Sequence, residues 1–163
     1  MPQPALLSLV RPLSPLSQDI ASLTSAPSTI MLHREYFPWL PNNNSVPRAP
    51  VDPPLLEAEA PPNWWENSAA ELFGAAENIT LLLNEASECG VHLMTPFAGF
   101  GMFSAGFCNI YISRFPKMNL GRSRRAAELT QICAAYLQDF RQVWSIADSW
   151  VHAPTPNAMN DFR

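Results

Sequence analysis

Cysteine and histidine have the widest chemical range of the residues in this chain, and their spacing is the first test for a metal-binding or reactive site. The chain has three cysteines and three histidines, namely Cys89, Cys108, Cys133, His33, His92 and His152. A structural zinc site needs four ligands, usually supplied as two closely spaced pairs. No Cys-x-x-Cys pair occurs and the histidines stand alone, so the sequence predicts no metal site. Cysteines placed among apolar residues are typical of small core residues in a reducing compartment.

Carboxylates, serines and glycines are the next residues that could carry chemistry. Glu85 and Glu88 lie one turn apart on a predicted helix, but no apolar surroundings that would raise a pKa accompany them, so we expect both to be solvated. No nucleophile motif surrounds a serine, and Gly99 and Gly101 are not followed by the Gly-Lys-Ser of a phosphate loop. A thiolate paired with a histidine is a weaker hypothesis than a core cysteine. We therefore expect no catalytic site and no cofactor, and a chain that is not an enzyme.

An aromatic ridge is the strongest candidate for a binding surface. Aromatic residues recur at steps of three, three, four and four residues, as Phe97, Phe100, Phe103, Phe107 and Tyr111. Residues at these steps share one face of a helix. We favour an ordinary core for this ridge. The alternative is the wall of an effector pocket, because helical bundles hold small molecules between aromatic-lined helices.

One short helix and a first long helix are predicted before the ridge. The short helix is predicted over residues 29–40, where prolines 38 and 41 stop it. The first long helix is predicted from Asn63, which forms a capping pair with Glu66, to about residue 89. Gly90 is a natural C-terminal stop for it.

Two more long helices are predicted to follow. The second runs from Thr95, with Pro96 at its first helical position, to about Phe115. Its small residues, such as Gly101 and Ala105, lie on a different face from the ridge and would let another backbone approach closely. The third is predicted over residues 123–151 from an apolar stripe at helical steps. No strand pattern occurs, so we predict an all-α fold, with three long helices and one short helix forming a partial helical-repeat or bundle domain.

Proline marks the ends of the foldable region. The chain has 17 prolines against 6 glycines, and the prolines crowd into residues 1–62 and return at the C-terminus. Because proline interrupts helices, we expect residues 1–30 to be a disordered Pro- and Ser-rich segment and residues 152–163 to be a disordered tail. The folded domain is therefore predicted over residues 31–151.

Charge is segregated along the chain. The net charge of −4 argues against a nucleic-acid-binding surface, which is normally basic. No Lys or Arg occurs between Arg48 and Arg114, where eight acids fall, whereas a basic cluster follows, formed by Arg114, Lys117, Arg122, Arg124 and Arg125. We interpret these stretches as solvated faces of neighbouring helices that attract one another, rather than as a contact to DNA phosphate.

One stretch has the length of a membrane span. Residues 92–113 carry no charged side chain, which is long enough to cross a bilayer. They contain Pro96, Asn109 and three glycines, however, and a helix buried on all sides of a bundle fits them better. The N-terminal segment lacks the basic start of a signal peptide. We therefore expect no membrane association.

Five segments of the chain resemble, in order, the fungal-specific transcription factor domain, the helical middle region of regulators that carry a binuclear six-cysteine zinc cluster. These segments are residues 32–41 (LHREYFPWLP), 52–56 (DPPLL), 62–73 (PNWWENSAAELF), 95–100 (TPFAGF) and 144–150 (WSIADSW). The resemblance covers about residues 31–151, which it identifies as the C-terminal part of that domain.

The resemblance implies a nuclear regulatory region that does not itself contact DNA and that modulates RNA polymerase II transcription through protein or effector interactions. The zinc-cluster cysteines are absent from this sequence, so neither the family's zinc nor its DNA contacts are assigned to any residue here. Helical sequence expected before residue 32 is also absent, which implies a truncated family member.

A partial domain would leave an apolar helix face uncovered. We therefore expect self-association, a protein partner or marginal stability for this chain. The alternative to a regulatory region is a stand-alone helical protein that binds a small molecule.

Overall fold

The computed structural model describes residues 25–37 and 60–151, and every regular element within them is a helix. The first helix, α1, occupies residues 25–34. The others are α2 (Trp64–Glu88), α3 (Pro96–Arg114), α4 (Ser123–Val143) and α5 (Ala147–Val151). The predicted all-α fold is confirmed, with α2, α3 and α4 as the three long helices. The disorder predicted for residues 1–24 and 152–163 concerns segments outside the described residues.

Helix α1 corrects the predicted start of the packed region. Ala26 and Ile30 are buried in the core, so residues 25–30 belong to the folded part that the boundary at residue 30 excluded. The helix ends at residue 34 instead of 40, and the amide of Phe37 closes a turn on the carbonyl of Arg34 at 3.3 Å. Residues that precede a proline avoid the helical conformation, and Phe37 precedes Pro38.

Helix α2 begins without the predicted capping pair. Asn63 has a φ of 60°, in the left-handed region, and its side chain makes no capping hydrogen bond. An N-cap side chain reaches the first amides from an extended backbone, which Asn63 does not adopt. The predicted stop at Gly90 is confirmed. With a φ of 81°, Gly90 leaves the helix, and the next amide, of Val91, donates to Ala86 at 2.8 Å.

Helix α3 lies at the centre of the molecule and packs against both α2 and α4. Its predicted start is confirmed, because the hydroxyl of Thr95 accepts from the amide of Ala98 at 3.2 Å and Pro96 opens the helix. It ends at Arg114, as expected. Its small residues are buried, so the neighbouring helices approach it along this smooth face.

Helix α4 is shorter than predicted, because the chain breaks at Trp144. This residue is extended, and its indole Nε1 donates to the carbonyl of Met94 at 2.8 Å. The break turns α5 back over the core, where Ala147 is fully buried and the ring of Trp150 stacks 5.2 Å from that of Phe103. The single helix predicted over residues 123–151 is therefore two helices.

The turn between α3 and α4 is held by one buried side chain. Asn119 donates to the carbonyl of Ile112 at 3.0 Å and accepts from the amide of Gly121 at 2.9 Å. Leu120 and Gly121 both have positive φ, at 52° and 77°. These bonds place the N-terminus of α4 beside the end of α3.

Candidate functional site

The aromatic ridge of α3 is divided between core and surface. Tyr111 is only 3% exposed, whereas Phe97 at the opposite end is 47% exposed. Phe100, Phe103 and Phe107 are half-buried. The ridge is therefore neither wholly core nor wholly the wall of a pocket. The face that α3 buries most completely is the one with small residues.

The contacts of the ridge are those of packing. The ring of Tyr111 meets Phe37 of the α1 segment edge-on at 4.8 Å, and its hydroxyl donates to the sulfur of Met118 at 3.3 Å. Phe103 is covered by Trp150 of α5. Through the ridge, α3 thus contacts Phe37 near the start of the described chain and Trp150 near its end.

Two cavities between the described helices are lined by other residues. The larger has a volume of about 320 Å³ and lies between the C-terminal half of α2, the 89–95 connection and α4. We call it the α2–α4 cleft. Ligand pockets typically occupy about 300–1,000 Å³, so this cleft has room for a small organic molecule. It is the candidate functional site.

The inner part of the α2–α4 cleft is apolar. Leu83 of α2 and Met102 of α3 lie at its floor and are fully buried. Leu93, Ile132 and Tyr136 line its walls. A ligand in the cleft would therefore contact α2, the 89–95 connection and α4.

The rim of the α2–α4 cleft is polar. It is formed by Asn84, Ser87, His92, Gln131 and Asp139. The hydroxyl of Ser87 and Nδ1 of His92 lie 3.3 Å apart, and this hydrogen bond ties the connection to α2. A few polar groups around an apolar floor are what orients a bound ligand.

Two donors of the α4 region fix the 89–95 connection. The hydroxyl of Tyr136 donates to the carbonyl of Leu93, and the indole of Trp144 donates to that of Met94. Burial raises the pKa of Tyr136 from 10.0 to about 12, so its phenol remains a donor at pH values where an exposed tyrosine has ionised. The wall of the cleft is thus held in one arrangement by uncharged hydrogen bonds.

The cysteines do not take part in this site. Cys108 and Cys133 are buried, and burial raises the pKa of Cys108 to about 12 and also raises that of Cys133. Cys89 is exposed at the end of α2. Among the described residues, no group of three or more His, Cys, Asp and Glu side chains could hold a metal ion.

The basic cluster, which runs from the end of α3 to the first turn of α4, meets the acidic helix α2, as predicted. Both Arg122 and Arg125 pair with the carboxylate of Glu77, at 3.4 and 3.1 Å. These ion pairs are partly exposed, and exposed pairs of this kind contribute up to about 1 kcal/mol each.

Sequence reasoning missed the α2–α4 cleft because its residues come from separate segments. On α2 and α4, residues such as Asn84 and Gln131 occupy ordinary polar positions of amphipathic helices. His92 and Met94, in the short connection between Gly90 and Thr95, are the signal that could have drawn attention to this region.

No family model, no curated protein and no solved structure matches this chain. Among the helices that the structure describes, none is long and apolar enough to cross a membrane.

Proposed function

We propose that this chain is a regulatory region of the kind found in fungal zinc-cluster transcription factors, and that it does not contact DNA itself. In this proposal it resides in the nucleus and modulates RNA polymerase II transcription through an effector or a protein partner. The five segments similar to that family support the proposal, and an all-α fold is what the similarity implies. The zinc and the DNA contacts would belong to a zinc-cluster domain that this sequence does not contain.

The α2–α4 cleft is the observation that carries the effector part of the proposal. A molecule bound there would contact Asn84 of α2, Leu93 of the 89–95 connection and Ile132 of α4 at once. A ligand that binds one arrangement of the helices stabilises that arrangement, and the free energy of binding is thereby transmitted to the rest of the molecule. A cleft of this kind suits a sensor.

Filling the cleft tests the proposal. Ala134 and Ala135 are neighbouring exposed residues of α4, and only Ala135 lines the cleft. The whole chain would be fused to a heterologous DNA-binding domain, and reporter transcription would be compared among the parent, Ala135→Trp and Ala134→Trp at equal protein abundance. We expect the fusion to change reporter transcription, Ala135→Trp to alter that change, and Ala134→Trp to leave it as in the parent.

A reporter level equal to that of the DNA-binding domain alone would contradict the regulatory role. The same cleft favours the second candidate, a stand-alone helical protein that binds a small molecule. Ligand-observed NMR with a fragment library separates the two. We would look for fragments that bind the parent and Ala134→Trp but not Ala135→Trp. If such fragments are found and the fusion has no effect on the reporter, the chain is a binding protein with no part in transcription.

A further inference from the structure

The rim of the α2–α4 cleft has a carboxylate that no lysine or arginine neutralises. Asp139 is the acid among the described residues that line the cleft, and none of these residues is Lys or Arg. Asp139 is exposed and takes part in none of the ion pairs within the described part of the chain. Residues three and four positions away are its neighbours on the surface of α4. All four of them are uncharged, namely Ala135, Tyr136, Gln142 and Val143.

The α2 side of the cleft is also negative. The last turn of α2 carries Glu85 and Glu88 and no basic residue. Helix C-termini carry a partial negative charge, and acids placed there are unfavourable unless a cation compensates them. The amide nitrogen of Asn84 donates to Oε1 of Glu88 at 2.8 Å, so the carbonyl oxygen is the polar atom that Asn84 has left for a ligand. Charge on both sides of the cleft therefore favours a cation.

The walls of the cleft require that this cation has an apolar part. Leu93 and Ile132 are half-buried and Ala135 is exposed, so all three offer apolar surface that a ligand can touch. Apolar walls disfavour a bare, strongly hydrated ion. The cleft has a volume of about 320 Å³, and water occupies about 30 Å³ per molecule in the liquid. There is thus room for a ligand of about ten non-hydrogen atoms.

We propose that the α2–α4 cleft binds a small primary amine with an apolar carbon skeleton. The ammonium group donates to the carboxylate of Asp139, and the carbon skeleton packs on Leu93 and Ile132. The negative end of α2 adds to the attraction without contact. This inference names the chemistry of the effector and rests on the effector part of the proposed function.

Ligand-observed NMR titration of the full chain with three probes tests the choice of an amine. The probes are 2-phenylethylamine, 2-phenylethanol and 3-phenylpropanoate, which share a benzene ring on a two-carbon chain and differ in charge. At about 0.1 M salt, we expect the amine to bind saturably and about fivefold more tightly than the alcohol, because an exposed ion pair adds modestly to affinity. The carboxylate should bind most weakly. Equal affinity for the three probes, or no saturable binding of the amine, would overturn the proposal.

Two charge variants assign the preference to Asp139. Asp139→Asn keeps the shape of the side chain and removes its charge, so it should lower the affinity for the amine to that for the alcohol and leave the alcohol unchanged. Glu71→Gln removes the same charge from an exposed position of α2, about 20 Å along the helix from Asn84 and beyond the screening length of about 10 Å. This control should keep the preference for the amine.

Two results with these variants would overturn the proposal. A preference that survives Asp139→Asn would show that its carboxylate is not the partner of the ammonium group. A preference lost equally in Asp139→Asn and Glu71→Gln would show that the amine responds to the net charge of the chain.

The alanine pair of α4 places the probes in the cleft. Ala135→Trp fills the cleft and should abolish binding of the amine and the alcohol alike, whereas Ala134→Trp should retain both. Amine binding that survives Ala135→Trp lies elsewhere and would overturn the proposal.

The titrations and the reporter assay fail independently of one another. A chain that prefers the amine, but whose fusion leaves the reporter unchanged, contradicts the regulatory role and keeps the ligand assignment. A reporter that responds to Ala135→Trp, in a chain without preference for the amine, keeps the regulatory role and overturns the ligand assignment.

Discussion

At the scale of single residues, glycine controls how closely the helices approach α3. A Cβ atom at Gly99 would lie 2.3 Å from Cζ of Phe140, whose ring is fully buried and stacked on that of Trp150. A Cβ at Gly101 would meet the terminal methyl group of Ile79 at the same distance, and that flexible end can shift more easily. Gly99, which lies opposite Phe140, is therefore less able to accept a side chain than Gly101 is.

Replacement of Gly99 by alanine should destabilise the fold. Overpacking of a well-filled core costs about 1–3 kcal/mol, which exceeds the roughly 1 kcal/mol that alanine gains over glycine in a helix. Gly74 of α2 is the matched control, because its Cβ would meet no atom within 4 Å. Urea denaturation should show a lower free energy of unfolding for Gly99→Ala and a higher one for Gly74→Ala. Equal stabilisation by both substitutions would show that the Phe140 ring is not fixed against Gly99.

Buried ionisable groups make the stability of this chain sensitive to alkali. Burial raises the pKa of Cys108 from its usual 9.0 to about 12 and the pKa values of Tyr111 and Tyr136 from 10.0 to about 12. The unfolded chain therefore releases these protons at lower pH than the folded chain does. The contribution of these groups to the free energy of unfolding is fully present below about pH 9 and is lost as the pH rises toward 12.

We expect the free energy of unfolding to fall between pH 9 and pH 12. The slope is about 1.4 kcal/mol per pH unit for each proton by which the two states differ. Urea titrations at several pH values measure it, and the Cys108→Ala variant should show a shallower fall because it has one such group fewer. A free energy of unfolding that stays constant up to pH 11 would show that these groups are accessible in the folded chain.

At the scale of elements, α1 belongs to the core although it begins in a segment that is rich in proline and serine. Ile30 is 2% exposed, and Phe37 packs edge-on against Phe73 of α2 at 5.2 Å. Nδ1 of His33 and the hydroxyl of Ser68 lie 2.8 Å apart, which adds a polar link between α1 and α2. The segment around residue 30 is thus part of the core.

Truncation of Ile30 should therefore destabilise the whole fold. Removal of a buried isoleucine side chain to alanine costs about 2–5 kcal/mol. Leu32 lies two residues further along α1 and is 63% exposed, so Leu32→Ala should change the stability by no more than about 0.5 kcal/mol. Thermal and urea denaturation of both variants measure the difference. If Ile30→Ala is as stable as Leu32→Ala, α1 does not pack on the long helices in solution.

At the scale of the whole molecule, apolar surface is concentrated where α4 ends. Val143 and Ile146 are each 60% exposed, and Trp144 between them is 39% exposed. Large exposed apolar side chains in one place are typical of surfaces that meet another protein. The self-association or protein partner expected from the sequence stays a prediction, and this surface is where we expect the contact to form.

Self-association through this surface is the prediction at this scale. We expect the apparent mass in size-exclusion chromatography with light scattering to rise with protein concentration. The double substitution of Val143 and Ile146 by lysine should suppress that rise, whereas Leu120→Lys, a charge added at an exposed leucine of the α3–α4 turn, should not. A monomer at every concentration, with a sharp melt at high temperature, would contradict the prediction.

The beginnings and ends of α2 and α3 were predictable where local chemistry decides them. Gly90 and the Thr95–Pro96 pair act near their own position, through hydrogen bonds between residues five or fewer apart in the chain. Asn63 was mispredicted because asparagine favours two local structures, a helix cap, which needs an extended backbone, and the left-handed conformation that it adopts here. The candidate site was less predictable, since the α2–α4 cleft draws residues from four segments, namely α2, the 89–95 connection, α3 and α4.

The sequence by itself determined that this chain is helical, because the period of its apolar residues and the positions of its prolines and glycines act over a few residues. Only the tertiary structure decided that α3 buries its small face, that α4 breaks at Trp144 and that Asn109 is buried beside Thr80. The indole of Trp144 bonds to Met94, and the amide of Asn109 bonds to Thr80. Such contacts join residues far apart in the chain, so their energy exists only once the helices are packed.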